Sequence, residues 1–218
     1  MSEKSIITRG IILAAGLGTR MRPLTNDCPK PLIKLNGKAM LDRAIDALRA
    51  VGVTDIVVNT HYMADKISEH LKGQKGITII YEPEILETGG GVRNALPNFK
   101  GEPFYVLTSD IMWIDGNENA LMRLAKYWDV KTMDLLLLVN KKLPESKGDF
   151  VLQGDFGKPV HRDYTSETPN VTYMGVSIIN PAFVESFAEG FRPFREFMFK
   201  AQENKRLSAL VHDGERFS

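Results

Sequence analysis

The chain has one cysteine, Cys28, among its 218 residues, which excludes an intrachain disulfide. Its four histidines are scattered with no second cysteine, which argues against a structural zinc site. Excess charge is missing too. The 28 Lys and Arg stand against 27 Asp and Glu, a formal net charge of +1. No overall field is left to hold a nucleic-acid backbone or an anionic membrane surface, so any bound anion must be gripped locally. No apolar run approaches the roughly 18 to 20 residues of a membrane span. The stretch after Arg9 is broken by Gly16 and Gly18 before it could serve as a signal-peptide core. Fixed-period repeats, low-complexity tracts and long blocks of like charge are absent, which removes solenoid and disordered-tail architectures. What remains is the expectation of a soluble cytoplasmic protein with neither nucleic-acid nor membrane partners. Its length, with 43% hydrophobic and 25% charged residues, suits one domain with a small appendage at most.

Short apolar runs rich in β-branched residues alternate with segments of helical periodicity, which is the pattern of βαβ units around a largely parallel sheet. Strands are predicted over Gly10 to Ala15, Asp55 to Thr60, Ile77 to Tyr81, Phe104 to Thr108, Asp134 to Asn140 and Val171 to Asn180. Between them, Met40, Leu41, Ala44, Ile45, Leu48 and Val51 share one helical face, with Gly52 as the stop. Further helices are predicted over Met63 to Leu71, Gly89 to Leu96 before Pro97, Leu121 to Trp128, from Pro181, and Pro193 to Asn204. From Leu143 the texture changes. Gly148, Gly154, Gly157 and Pro159 punctuate polar segments, so 143–170 reads as an excursion from one domain spanning 1–218.

The most informative stretch is Leu13-Ala14-Ala15-Gly16-Leu17-Gly18-Thr19-Arg20-Met21-Arg22-Pro23-Leu24-Thr25, followed by Pro29-Lys30-Pro31-Leu32. A strand running into small residues exposes backbone N–H groups in a turn that a nucleotide can approach without Cβ collisions. Arg20, Arg22 and Lys30 add three cations suited to phosphate oxygens. A glycine turn with solvated basic side chains is the plainer alternative. The P-loop motif fails, because Gly18 is followed by Thr19 and Arg20 instead of Lys and Ser or Thr. The dinucleotide fingerprint matches only its first two glycines and has Met21 where the third belongs.

The segment resembles the signature of the sugar-1-phosphate nucleotidyltransferases, matched residue for residue apart from one extra residue in the Met21-Arg22 spacer. Leu86-Glu87-Thr88-Gly89-Gly90-Gly91, Asn94-Ala95-Leu96 and Gly148-Asp149-Phe150 are similar to the subgroup acting on N-acetylmuramic acid 1-phosphate with uridine triphosphate. The resemblance implies an α/β fold, a Rossmann-like three-layer sandwich with a mostly parallel mixed sheet. It also implies nucleotide contacts from Leu13, Ala14, Ala15, Gly16, Gly18, Thr19, Glu82, Thr88 and Gly89, and sugar-side roles for Asp110, Gly148, Asp149 and Tyr173. Many relatives carry a second metal carboxylate in a C-terminal segment that would begin where Arg216-Phe217-Ser218 stands.

Read physically, Thr88 to Gly91 is a second small-residue turn able to take a flat base, or simply a flexible turn. Asp110 ends a strand at the carboxyl edge of the sheet, where it serves either as a turn or N-cap aspartate or, as the resemblance implies, as a ligand of Mg²⁺, the one cofactor expected. The chemistry that follows is attack of a sugar-1-phosphate oxygen on the α-phosphorus of a nucleoside triphosphate, with pyrophosphate leaving. Arg20 is assigned to the departing phosphates and Lys30 to the α-phosphate and the attacking phosphate. Mannose-1-phosphate with guanosine and glucose-1-phosphate with uridine or thymidine share the same loops. A glycosyltransferase and a nucleotide-binding module without turnover are the alternative classes. Cys28 reads as a quiet loop residue and His61 as a loop histidine, while Phe187, Phe191, Phe194, Phe197 and Phe199 form a core, or an interface if exposed.

Overall fold

The computed structural model describes residues 7–217. Their strands, in chain order, are β1 (Arg9–Leu13), β2 (Lys34–Leu35), β3 (Lys38–Ala39), β4 (Asp55–Thr60), β5 (Ile77–Tyr81), β6 (Phe104–Thr108), β7 (Met112–Ile114), β8 (Leu135–Lys141), β9 (Phe150–Val151), β10 (Phe156–Gly157), β11 (Val160–His161), β12 (Val171–Ile179), β13 (Leu207–Val211) and β14 (Glu215–Phe217). The α-helices are α1 (Met40–Ala50), α2 (Ala64–Leu71), α3 (Glu87–Ala95), α4 (Ala120–Tyr127), α5 (Pro181–Glu185) and α6 (Arg195–Glu203).

The main sheet runs β10-β13-β8-β12-β6-β1-β4-β5, with β9 joined to β12 and β11 to β9. Strands β6, β1, β4 and β5 are parallel, as are β8 and β13. Strand β12 lies antiparallel between β6 and β8. Continuous apolar runs suit strands covered on both faces. In β1, Ile11 packs into one core cluster with Val92, Val184 and Phe197 from α3, α5 and α6. Its neighbour Ile12 packs into the other with Leu41, Ile67 and Leu121 from α1, α2 and α4. Period-two alternation in the strands thus produces three layers, the Rossmann-like sandwich that the sequence resemblance implies.

Local chemistry sets the helix ends. The Asn119 side chain accepts from the amides of Leu121 and Met122 at the start of α4, and Asn180 accepts from Ala182 with Pro181 at the first turn of α5. Helix α3 corrects the expected start at Gly89: it begins at Glu87, so Gly89, Gly90 and Gly91 lie inside the helix and not in a turn before it. Strand β13 is a further correction. Its Leu-Ser-Ala-Leu-Val run is entirely buried, although no strand was expected beyond Asn204. The hairpin β2–β3 was also unforeseen. It turns on Asn36-Gly37, both at positive φ, a pair suited to a tight two-residue loop. Ribbon β7–β14 pairs Phe217 with Met112 and so brings the end of the described chain back towards Asp110. No helix among the described residues is long and apolar enough to cross a membrane.

The excursion is woven into the sheet: β10 forms its edge against β13, and β9 pairs with both β11 and β12. The aromatic segment divides by exposure. Phe194 and Phe197 are buried and Phe187 packs against them, whereas Phe191 is 66% exposed. Phe199 packs edge-on against His161, which also meets Phe150 and donates its backbone N–H to Gln202 Oε1 at 2.7 Å. Burial pushes the His161 imidazole below its ordinary 6.5, only partly offset by Asp163. The folded state therefore holds this ring neutral, and the unfolded chain takes up the proton first as pH falls. Stability is expected to be complete above about pH 6.5 and to fall as pH drops from there through the folded value. Thermal melts from pH 8 to 5 check this, with His161→Phe giving a flatter curve than the wild type over the lower part of the range.

Candidate active site

Strand β1 stops at Leu13, and the next amide would be left buried without a ladder partner. The Asn59 side chain at the end of β4 takes it, Oδ1 accepting from Ala14 N–H at 2.8 Å. The chain then turns at Gly18, in the left-handed region with φ 64°, where a Cβ would come within 2.9 Å of Thr25 Cγ2. Thr25, 1% exposed, donates its hydroxyl to Gly18 O at 2.9 Å and closes the loop. A short 3-10 turn at Thr19–Met21 leaves Arg20 exposed, without a carboxylate partner among the described residues. From α2 and the residues before it, Tyr62 Oη donates to Thr25 O at 3.2 Å and Lys66 Nζ to Asp27 O, tying the loop's far side to the domain.

Pro29 opens a second 3-10 turn that carries Lys30 to the carboxyl edge of the sheet, where it pairs with Asp110 just beyond β6. Burial alone would raise the Asp110 carboxyl. The Lys30 hydrogen bond and charge, with help from Thr108, outweigh that and hold it below its ordinary 3.8. The two groups are 22% and 35% exposed, open enough for an incoming anion to reach the lysine.

Glu82, 1% exposed, lies just past β5. Its Oε1 accepts from Asn59 Nδ2 at 2.8 Å, and its Oε2 is buried without a partner. Burial pushes the carboxyl above its ordinary 4.5, against the opposing pull of Asn59, the Leu86 backbone and His61. His61 Nδ1 lies 2.8 Å from Glu82 O.

These groups surround one cleft of about 460 Å³, a size suited to a small-molecule ligand. Leu13, Ala14, Ala15, Gly16, Gly18, Thr19, Arg20, Lys30, Glu82, Thr88 and Asp110 all line it. Gly89 is not among the lining residues. Its amide donates to Arg192 O at 2.9 Å, and an added Cβ would meet that oxygen at 2.8 Å, so the glycine serves close packing of α3 against the 187–194 loop. Gly148, Asp149 and Tyr173 also stand outside the lining and come together with one another. Asp149 Oδ2 accepts from Tyr173 N–H at 3.0 Å, and Arg162 donates to Gly148 O at 2.8 Å. The Tyr173 hydroxyl reaches Ser177 Oγ at 3.3 Å, and burial pushes its phenol well above 10.

Sequence reasoning missed Asn59, whose only signal was a polar residue closing the apolar run of β4, and Glu87. Glu87 is exposed at the cleft with φ 62°, a conformation uncommon outside glycine. Among the described residues, no group of three or more His, Cys, Asp or Glu could hold a metal alone.

A mostly parallel sheet, helices on both faces, and a basic glycine-rich loop at the strands' carboxyl ends define a nucleotide-handling Rossmann-like fold. Residues 9–148 match the family model described as nucleotidyl transferase, and the chain belongs to that family. It is 37% identical over 191 residues to the N-acetylmuramate alpha-1-phosphate uridylyltransferase of Caulobacter vibrioides, a match covering 83% of this chain and 78% of that protein. Against the enzyme of the same name from Neisseria meningitidis serogroup B, identity is 33%, covering 84% and 79%. The solved UDP-glucose pyrophosphorylase from Acinetobacter baumanii matches with a TM-score of 0.80 over 97% of this chain and 88% of that one, at 16% identity, a likeness of fold.

The raised Glu82 pKa has a sign that can be measured. As pH rises above about 4.5 the unfolded chain loses this proton first, so the buried carboxylate costs the folded state stability until pH passes the folded value. Glu82→Gln is expected to raise Tm at neutral pH, with the gain shrinking towards pH 4.5. Thermal melts of both proteins across that range check it, and an equal or lower Tm for the variant throughout contradicts it.

Proposed function

We propose that the chain transfers uridine monophosphate from UTP to a sugar-1-phosphate, N-acetylmuramic acid 1-phosphate, producing a nucleoside-diphosphate sugar and pyrophosphate. The observation that carries this reading is the pairing of Lys30 with Asp110 in a cleft that also holds the glycine loop and the buried Glu82 carboxylate. The two uridylyltransferase relatives support the choice of base and sugar.

The reaction needs alignment of two anions more than it needs a base. An oxygen of the sugar phosphate forms a bond to the α-phosphorus as the bond to the α–β bridging oxygen breaks, and pyrophosphate leaves with that electron pair. The nucleophile is already anionic at neutral pH, so no side chain has to remove its proton. Arg20 grips the departing β- and γ-phosphates with its planar fork. Lys30 leaves Asp110 for the α-phosphate and the attacking phosphate, where charge accumulates in the transition state. Asp110, freed of its lysine, fits Mg²⁺ as a single carboxylate, since that ion takes one or two carboxylates and completes its shell with phosphate oxygens and water. Bound there, the ion supplies charge neutralisation on the triphosphate.

Ala14, Gly16 and Thr88 bracket the base, and the Glu82 carboxylate accepts from an N–H on its edge. Uracil offers N3–H to such an acceptor, whereas cytosine presents a lone pair at N3. Guanine offers N1–H in the same way, so guanylyl transfer to mannose-1-phosphate is the second reading. Gly148, Asp149 and Tyr173 act on the sugar side by pinning the excursion to β12. A free nucleoside triphosphate as substrate suits a cytoplasmic enzyme.

Pyrophosphate release from UTP, GTP and dTTP, each with N-acetylmuramic acid, mannose and glucose 1-phosphates, tests the reading. Release with none of the pairs rejects it in favour of a nucleotide-binding module or a glycosyltransferase. Lys30→Ala is expected to lose roughly 3 to 4 kcal/mol of transition-state stabilisation, about 10² to 10³ in kcat, as when one preorganised charge donor is removed. Near-normal turnover in that variant rejects the lysine's role. Asp110→Asn is expected to abolish metal-dependent turnover while circular dichroism stays unchanged.

A further inference from the structure

One residue lining the cleft, Asn59, bonds to both the loop that follows β1 and Glu82. Asn59 is 2% exposed, and its amide orientation is forced. The Ala14 N–H can only donate, so Oδ1 must face it, and Nδ2 is left pointing at Glu82 Oε1. One carboxylate oxygen of Glu82 is thereby engaged, and the other, Oε2, remains buried without a partner in a residue that lines the cleft.

The second observation comes from α3. A Cβ at Gly91 would lie 2.5 Å from Asn59 Nδ2 and 3.0 Å from Glu82 Oε1. Both atoms end side chains, but the amide is buried and held at both ends, so relief would come only by breaking one of its hydrogen bonds. A helix interior otherwise favours alanine over glycine, so a glycine in α3 at this point has a packing reason.

We propose that Asn59, in the space left by Gly91, is a positioning residue for base selection: by holding Oε1 it fixes the orientation of the Glu82 carboxylate at the cleft and ties that carboxylate to the loop that follows β1. The proposal rests on the reading of Glu82 as the acceptor for a base N–H. A site built to hydrogen-bond one edge rejects an analogue lacking the donor far more strongly than a merely apolar slot would. Tilting the carboxylate therefore removes discrimination before it removes binding.

The experiment measures kcat/KM by pyrophosphate release for UTP, GTP and CTP with one sugar-1-phosphate. The readout is the ratio of the better of UTP and GTP to CTP. The proteins compared are the wild type, Asn59→Asp, Gly91→Ala and Glu82→Gln. Asn59→Asp keeps the shape and the acceptor for Ala14 but sets an oxygen against Glu82 Oε1, while Gly91→Ala leaves both polar residues intact and crowds their contact. Each is expected to shrink the ratio by about tenfold or more, the scale of one well-made hydrogen bond. A purely structural role would lower activity with every triphosphate alike and leave the ratio unmoved. If Glu82→Gln shifts the ratio and Gly91→Ala does not, the positioning role is overturned while the reading of Glu82 stands. If Glu82→Gln leaves the ratio unchanged, or the wild type shows no preference over CTP, the reading of Glu82 fails and the proposal fails with it. Should Asn59→Asp not fold, the Gly91→Ala ratio decides.

Discussion

A single hydrogen bond, from Ala14 N–H to Asn59 Oδ1, fixes where the central strand ends and the glycine loop begins. Strand β1 lies between β6 and β4, and its ladder satisfies its amides as far as Leu13. Past that point a buried N–H without a partner would cost about 1 to 3 kcal/mol. With Asn59 as acceptor, the chain can leave the sheet at one defined residue. The Gly18 turn, the Thr25 closure and the delivery of Lys30 to Asp110 then follow from a fixed starting direction. The same side chain holds Glu82, so the glycine loop and the Glu82 side of the cleft share one support.

The location of the cleft has a topological cause. Four parallel strands end on the same edge, and the chain leads from β1 to β4 on one side and from β6 to β8 on the other, so the connections after β1 and β6 diverge and leave a crevice between them. Charge is local in the same sense. A chain with a formal net charge of +1 has no long-range field to concentrate anions, and the cations at the cleft, Arg20 and Lys30, act only at short range. Lys30 and Asp110 meanwhile neutralise each other, which keeps two partly buried charges compatible with a folded cleft.

Elements whose signal is periodic within one segment were legible before the fold was known. The helical face from Met40 to Leu48 and the apolar runs of β4, β6 and β8 needed no distant partner to be recognised. Strand β13 was not legible because its five residues include Ser208, buried only because β8 and β10 flank it. Helix α3 starts two residues before the sequence pattern suggests, because three consecutive glycines read as a turn. Their lack of side chains instead admits Arg192 O, Gly190 O and the Asn59 amide against the helix, partners from far along the chain.

By itself the sequence determined the local grammar: a strand running into small residues, a glycine that tolerates positive φ, cations spaced to follow it, and an aspartate closing a later strand. Such features act over a few residues, and their chemistry is present in the residue types. Tertiary structure alone decided which groups meet. It set Lys30 against Asp110, 80 positions away, and Asn59 between Ala14 and Glu82. It kept Gly89, Gly148, Asp149 and Tyr173 out of the lining. Those outcomes depend on sheet order and burial, because a hydrogen bond or an ion pair is settled by distance in space, and no spacing along the chain encodes it.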